Sequence, residues 1–107
     1  MPVTHEFKET IKARAGRDAA FRRWLLREGI ECLLANDLET AKLVLRDYVN
    51  ATLGFSTLAK KTRIPPKSLM RMLSSKGNPR AVHLLGVVAA LQAWEGVRLS
   101  VKTARVA

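Results

Sequence analysis

The chain has 107 residues, enough for one small hydrophobic core, and its single cysteine, Cys32, excludes an intrachain disulfide. Its 19 Lys and Arg outnumber 9 Asp and Glu, and the excess is uneven: residues 1–50 carry a net charge of +1 and residues 51–107 a net charge of +9. An excess of this kind predicts a polyanionic partner, most simply nucleic acid; a basic face that only aids solubility is the alternative.

The hydrophobic pattern does not predict a membrane protein. The longest apolar run, 84–91, is much shorter than the run of about 20 residues that crosses a bilayer, and the N-terminal residues lack the apolar segment of a secretory signal. We therefore expect a cytoplasmic protein, associated with the nucleoid when it is bound to DNA, with no membrane partner.

The first part of the chain, 1–54, is expected to form three helices. Gly16 ends the first helix, and Asp18 can cap the second. Asn36, followed three residues later by a glutamate, predicts the start of a third helix, which is expected to end at Gly54. The second helix is apolar around much more than one face, so we expect it to be central.

Two aromatic side chains in these helices are candidates for either the core or a ligand site. Trp24 lies in the second helix and Tyr48 in the third. Aromatic residues on an apolar helix face usually pack in the core, so we expect both to do so.

Residues 55–77 are expected to form two short helices joined by a tight turn. Ser56 can cap the first helix, which must stop near Thr62, because Pro65 and Pro66 lack backbone N–H groups and disfavour helix in the preceding residue. A new helix is expected to start at about Pro66. The apolar spacing matches the helix-turn-helix framework, whose positions here are Leu58, Ala59, Ile64, Leu69 and Met72.

The outward face of the second helix in 55–77 carries lysine, arginine and hydroxyl groups and no carboxylate, which favours contacts with phosphates and base edges. Lys67, Ser68 and Arg71 are the candidate base-reading residues. The candidate phosphate contacts come from the same segment and its flank: Ser56, Thr57, Lys60, Lys61, Ser74, Lys76 and Arg80. Gly77 is expected to cap the end of this helix. A purely structural two-helix corner is the alternative.

Residues 78–96 are predicted to form a helix with Asn78 as its N-cap, Pro79 at its first position and Gly96 at its end. This helix is apolar nearly all round, so part of its surface is expected to face a second copy of the chain. Residues 97–103 then alternate apolar and polar side chains, the pattern of a β-strand. Such a strand could pair with its equivalent in a second copy or with the sheet edge of another protein.

The chain also resembles a known family in the segment GFSTLAKKTRIPPKSLMRMLSSKGNPRAVHLLGVVAALQ, which is followed by GVRLSV. It resembles the addiction-module antidote proteins, which are antitoxin-type transcriptional regulators of the lambda-repressor-like (Xre) helix-turn-helix class. The upstream segments FKETIKARAGRDAAFRRWLLREGIECLL and AKLVLRDYVNATLGF are also similar, so the resemblance covers most of the chain. It implies a homodimeric, all-helical regulator that binds its own operator and is encoded beside a RelE/ParE-like toxin.

Arg63 is a departure from that pattern, because such motifs usually have glycine at this position of the turn. A non-glycine residue there must adopt a left-handed conformation, at a cost of roughly 1 kcal/mol, or the turn must differ.

The expected fold class is all-α: a five- to six-helix lambda-repressor-like helix-turn-helix domain over 1–107, with an N-terminal helical extension and a short C-terminal β-strand. The expected function is repression of transcription through sequence-specific binding to double-stranded DNA, as the antitoxin of a type II toxin-antitoxin module that autoregulates its operon. A stand-alone, phage-type regulator without a toxin partner is the alternative. An RNA-binding module is a weaker one, since the basic half lacks interleaved aromatic residues.

An enzyme, a cofactor and a metal site are not expected. His5 and His83 have no cysteine or carboxylate companions at metal-ligand spacing, and no glycine-rich loop could cradle a phosphate.

Overall fold

The computed structural model describes residues 5–107, with side chains from residue 10 onward, and these residues form six helices. In chain order the helices are α1 (His5–Arg17), α2 (Ala19–Leu34), α3 (Leu38–Ala51), α4 (Gly54–Thr62), α5 (Pro66–Met72) and α6 (Ala81–Glu95). The all-α class predicted from the sequence is confirmed for this part of the chain. None of the described helices combines the length and the apolar character required to cross a membrane.

The hydrophobic core is built around α3, which packs against α1, α2 and α4, while α4 packs in turn against α5 and α6. One face of α3 is fully buried and consists of Ala41, Leu45, Tyr48 and Val49. Helix α2 approaches α3 closely at Gly29, where an added Cβ atom would come within 2.8 Å of Leu45 Cδ2. Helix α2 makes its most extensive contact with α3 and also packs against α1, so it belongs to the same core as α3.

The two aromatic predictions have different outcomes. Tyr48 is fully buried, as expected, whereas Trp24 is 44% exposed. The indole of Trp24 stacks on the Phe21 ring at a centroid distance of 5.9 Å, and the Arg14 guanidinium lies 4.4 Å from the centroid of that same ring. The side of α2 that carries Trp24 is therefore only partly covered, by Phe21 and by Arg14 of α1.

The residues that cap the helices in the structure can be compared with those predicted from the sequence. Asp18 caps α2 as expected: its Oδ1 accepts a hydrogen bond of 3.0 Å from the Phe21 N–H. The Asn36 prediction is wrong, because Asn36 takes a left-handed turn conformation and Asp37 caps α3 instead. Gly54 does not end α3 but is the first residue of α4, where it adopts a φ of 78° that glycine tolerates without strain.

The end of α1 also differs from the prediction. Gly16 does not end this helix but lies within it, because α1 continues to Arg17.

The C-terminal region also departs from the sequence-based prediction. Asn78 and Pro79 do not start α6; Arg80 is the last residue before the helix, and its side chain caps nothing. Gly96 ends α6 as expected, with a φ of 74°.

The strand predicted over 97–103 is absent, since residues 97–107 have no regular secondary structure. The start of this tail is held to α6 by two hydrogen bonds, from the Val97 N–H to the Gln92 carbonyl oxygen and from the Leu99 N–H to Gln92 Oε1. A β-ladder needs a second strand, and residues 5–107 provide none.

Candidate nucleic-acid interface

The corner between α4 and α5 depends on one left-handed residue. Arg63 has φ 60° and ψ 28°, and its N–H donates to the Ala59 carbonyl oxygen at 2.8 Å, which closes the end of α4. The sequence-based prediction that a non-glycine residue would take this conformation is confirmed. Pro65 is then extended, and α5 begins at Pro66, also as predicted.

Side chains in this corner satisfy the local backbone. Thr62 Oγ1 donates to the Leu58 carbonyl oxygen at 2.9 Å and accepts a hydrogen bond of 3.3 Å from the Ile64 N–H. The predicted cap at the other end of α4 is wrong, because Leu53 is the N-cap residue and makes no side-chain cap, while Ser56 lies within the first turn and is exposed.

Helix α5 presents one face to the core and another to solvent. Leu69 and the following Leu73 are fully buried. Lys67 and Arg71 are exposed, and Ser68 is half-buried. The helix ends at Met72, so Gly77 does not cap it as predicted. The three candidate base-reading residues therefore lie on the part of α5 that points away from the core.

Most of the candidate phosphate contacts are exposed. The exposed members are Ser56, Thr57, Lys60, Lys61, Lys76 and Arg80. Ser74 differs, because it is half-buried and its hydroxyl donates to the Arg71 carbonyl oxygen at 2.7 Å. Its proton is therefore already used within the chain, which leaves Ser74 only as an acceptor.

A cleft of about 510 Å³ lies beside α5, and some of the candidate residues line it. Ser68, Arg71 and Lys76 line it, together with Arg63 and His83, and no carboxylate is part of its wall. The remaining candidates lie outside the cleft. Arg63, Arg71 and Lys76 are permanent cations, and none of them pairs with an acid among the described residues, so this cleft is suitable for an anionic group.

Arg63 and His83 were not among the residues predicted from the sequence. Arg63 had a usable signal, since it is a cation placed between the two helices of the motif. His83 had none, because its position beside α5 depends on how α6 packs against α4.

The two halves of the protein use their cations differently. In the first half, Arg14 pairs with Asp18 at 3.4 Å and Lys42 with Glu39 at 3.0 Å, and Arg22 pairs with Glu95 at 3.2 Å. The cations around α4 and α5 form no ion pair with any described residue. These cations are Lys60, Lys61, Arg63, Lys67, Arg71, Lys76 and Arg80.

Sequence composition explains this difference. Residues 48–94 contain no Asp or Glu, and the next carboxylate, that of Glu95, has a side chain that is only 3% exposed. Among the side chains described from residue 10 onward, no acid forms an ion pair with the cations around α4 and α5, which favours an external polyanion as their partner.

Side chains from residue 10 onward contain no group of three or more His, Cys, Asp or Glu that could hold a metal ion. The side chain of His5 lies outside the described residues. His83 lies among cations in the cleft rather than among carboxylates.

Comparison of the chain with protein-family models, with curated proteins and with solved structures yields no match.

Proposed function

We propose that this protein is a sequence-specific, double-stranded DNA-binding transcriptional repressor that inserts α5 into the major groove. In this proposal Lys67, Ser68 and Arg71 contact base edges. The phosphate contacts come from Ser56, Thr57, Lys60, Lys61, Lys76 and Arg80, with Ser74 as an acceptor only. Arg63 joins the phosphate set because it lines the same cleft as Arg71.

The observation that carries the proposal is the carboxylate-free, unpaired cationic surface around a two-helix corner of helix-turn-helix spacing. A basic face that served only solubility would not need its cations on the exposed side of one short helix and in one cleft beside it. Each phosphate that such a cation neutralises releases condensed counterions, which favours binding to nucleic acid at moderate salt.

A homodimer is part of the proposal, because helix-turn-helix proteins read two half-sites of an operator with two copies of the motif. Helix α6 offers a surface for it: Val82 is 69% exposed and Leu85 is 65% exposed. The same helix carries no charged residue between Arg80 and Glu95, so two copies can meet there without bringing like charges together.

The regulatory role is proposed from the resemblance to the addiction-module antidote proteins. It makes this protein the cytoplasmic antitoxin of a type II toxin-antitoxin module, bound to a RelE/ParE-like toxin and repressing its own operon. The tail from residue 97 onward is the candidate contact for such a partner or for a second copy, where it would form the predicted strand. A stand-alone regulator without a toxin is the second candidate. The strong positive charge of this chain favours it, because that charge would repel a basic toxin.

The DNA hypothesis is tested with a duplex selected by the wild-type protein from a random pool. We expect Arg71→Ala to weaken binding to that duplex about 5- to 150-fold, because a two-bond contact to guanine discriminates by about 1–3 kcal/mol, and to relax selection at one base pair. Affinity for a scrambled duplex should change much less. Fluorescence anisotropy at several salt concentrations measures both.

Lys61→Ala is the matched variant, with the same change in charge. It should weaken binding to the selected and scrambled duplexes equally and reduce the slope of log affinity against log salt by about 0.9, the value for one lost phosphate contact. If both variants affected the two duplexes equally, the assignment of Arg71 to base contact would be wrong. Co-purification with the product of the adjacent gene separates the antitoxin from the stand-alone regulator.

A further inference from the structure

Lys42 is the one fully buried lysine among the described residues, with 1% of its surface exposed. Its ammonium donates to the Gly77 carbonyl oxygen at 2.6 Å and to the Ser75 carbonyl oxygen at 3.3 Å, and it lies 3.0 Å from Glu39 Oε1. We refer to Lys42 Nζ and the two carbonyl oxygens as the Lys42 clamp. Taking an ammonium out of water is unfavourable, so an apolar residue at this position would be the simpler way to stabilise the core.

The Lys42 clamp holds the segment that follows Leu73, through Ser75 and Gly77, and this segment packs directly on the end of α5. A Cβ atom on Gly77 would overlap the carbonyl oxygens of Arg71 and Met72, so the chain passes over the last turn of α5 at a distance that only glycine permits. Three further hydrogen bonds continue this arrangement: Ser74 N–H to Arg71 O at 3.2 Å, Gly77 N–H to Ser74 O at 3.0 Å, and Arg46 Nη1 to Leu73 O at 3.4 Å. Movement of the segment would therefore move the last turn of α5.

The packing of α5 itself is mainly apolar. The helix is only 7 residues long; Leu69 and the following Leu73 are fully buried, and Met72 is partly buried against the core. Apolar contacts are not directional and allow a short helix to rotate on its neighbour, whereas hydrogen bonds to defined carbonyl oxygens are directional.

We infer that Lys42 is a positioning residue for base recognition: the Lys42 clamp ties the end of α5 to α3 and thereby fixes the direction of Arg71, which lies in the last turn of α5. This inference rests on the proposed DNA-binding function. Lys42 itself is buried and touches no DNA, so its effect is on discrimination between sequences and not on the attraction of the polyanion.

Lys42→Met removes the ammonium and replaces the chain up to Cε with an unbranched apolar one, and Lys12→Met, at an exposed position in α1, removes the same charge. The readout is the ratio of affinities for the selected duplex and the scrambled duplex, measured at a temperature where thermal unfolding shows both variants to be folded. We expect Lys42→Met to lower this ratio tenfold or more and Lys12→Met to leave it unchanged. A ratio equal to that of the wild type in folded Lys42→Met would overturn the inference.

Gly77→Ala provides a second route to the same test if Lys42→Met does not fold. The added methyl group must push the segment away from α5, so it should lower the ratio with Lys42 still present. In the double variant the two losses should not add, because both act on one contact. A wild-type ratio in folded Gly77→Ala would contradict the inference.

Amide hydrogen exchange separates this inference from the proposed function. The amides of residues 74–78 should exchange faster in Lys42→Met than in Lys12→Met, whether or not the protein binds DNA. If the wild-type protein selects no sequence from the random pool, the proposed function fails. Unchanged exchange in 74–78 would instead refute the Lys42 clamp.

Discussion

Arg63 shows how one residue sets the corner on which the candidate interface depends. Its left-handed conformation turns the chain between α4 and α5, and it costs about 1–2 kcal/mol for a residue with a Cβ atom. Asn36 is the only other non-glycine residue with positive φ among those described, and asparagine tolerates this conformation better. The strain at Arg63 accompanies a cation that lines the cleft.

We therefore predict that Arg63→Gly stabilises the protein while it weakens DNA binding. Relief of the strain, less the greater entropy of glycine in the unfolded chain, should raise the free energy of unfolding by about 0.5–1 kcal/mol. Asn36→Gly is the control and should change it by a smaller amount. Urea denaturation measures both, and a lower stability of Arg63→Gly would show that the side chain contributes more than its conformation costs.

One buried polar cluster connects four helices, α1, α2, α3 and α6. The Tyr48 hydroxyl of α3 donates to Glu95 Oε1 of α6, and Arg22 of α2 donates through Nε to both oxygens of the same carboxylate at 3.2 Å. Arg22 Nη1 also donates to the Ala15 carbonyl oxygen of α1 at 2.6 Å. Such a cluster specifies one mutual arrangement of the helices, because any other arrangement would leave buried polar groups unpaired.

This cluster predicts a dependence of stability on alkaline pH. Burial, reinforced by the hydrogen bond to Glu95, raises the pKa of the Tyr48 hydroxyl well above its usual value. Because the folded-state pKa is the higher one, the stabilisation is complete below the unfolded-state pKa of about 10 and is lost as the pH rises above it. The slope from this group approaches about 1.4 kcal/mol per pH unit.

The measurement compares the wild type with Tyr48→Phe by urea denaturation from neutral to alkaline pH. Tyr48→Phe should be less stable at neutral pH, since it leaves one Glu95 oxygen without its hydroxyl donor, but its stability should fall less steeply above pH of about 10. Lysine titration is common to both proteins and cancels in the difference. Equal slopes would contradict the prediction. Tyr48 is the single tyrosine, so tyrosinate absorbance reports its ionisation directly.

Helix α6 has an exposed apolar face, formed by Val82 and Leu85, although the whole chain has a net charge of +10. Uncovered leucine and valine side chains on one helix, in a protein whose copies otherwise repel one another, favour a contact between copies at that face. Each large apolar side chain that becomes buried contributes about 1.5–3 kcal/mol, and a symmetric dimer buries it twice.

If the proposed homodimer forms through α6, Leu85→Gln should raise its dissociation constant about tenfold or more, because a buried amide without a partner replaces apolar contact. Leu34→Gln is the matched control, since Leu34 is 69% exposed but belongs to α2. Sedimentation equilibrium over a range of concentrations measures both. A wild-type protein that stays monomeric throughout, or an equal effect of both substitutions, would exclude α6 as the dimer face.

Features that depend on neighbouring residues could be predicted from the sequence. The end of α4 and the start of α5 at Pro66 follow from the prolines, and the Asp18 cap follows from one side chain and the next turn. The left-handed conformation of Arg63 was one of two alternatives that the resemblance to a helix-turn-helix family left open. The concentration of unpaired cations around α5 was also predictable, because a long stretch without acids cannot neutralise its own charge.

Features that depend on distant residues were decided only by the tertiary structure. The burial of Lys42 against the segment after α5, the pairing of Arg22 with Glu95 and the approach of His83 to the cleft each join residues that no local pattern relates. Trp24 is exposed and 97–103 forms no strand for the same reason: burial and strand pairing both require a partner surface. The sequence alone was enough to predict that the chain is helical, that a turn separates α4 from α5 and that positive charge is concentrated around them, because these follow from short-range periodicity, prolines and composition. The tertiary structure decided which polar groups meet, because that depends on how the helices pack.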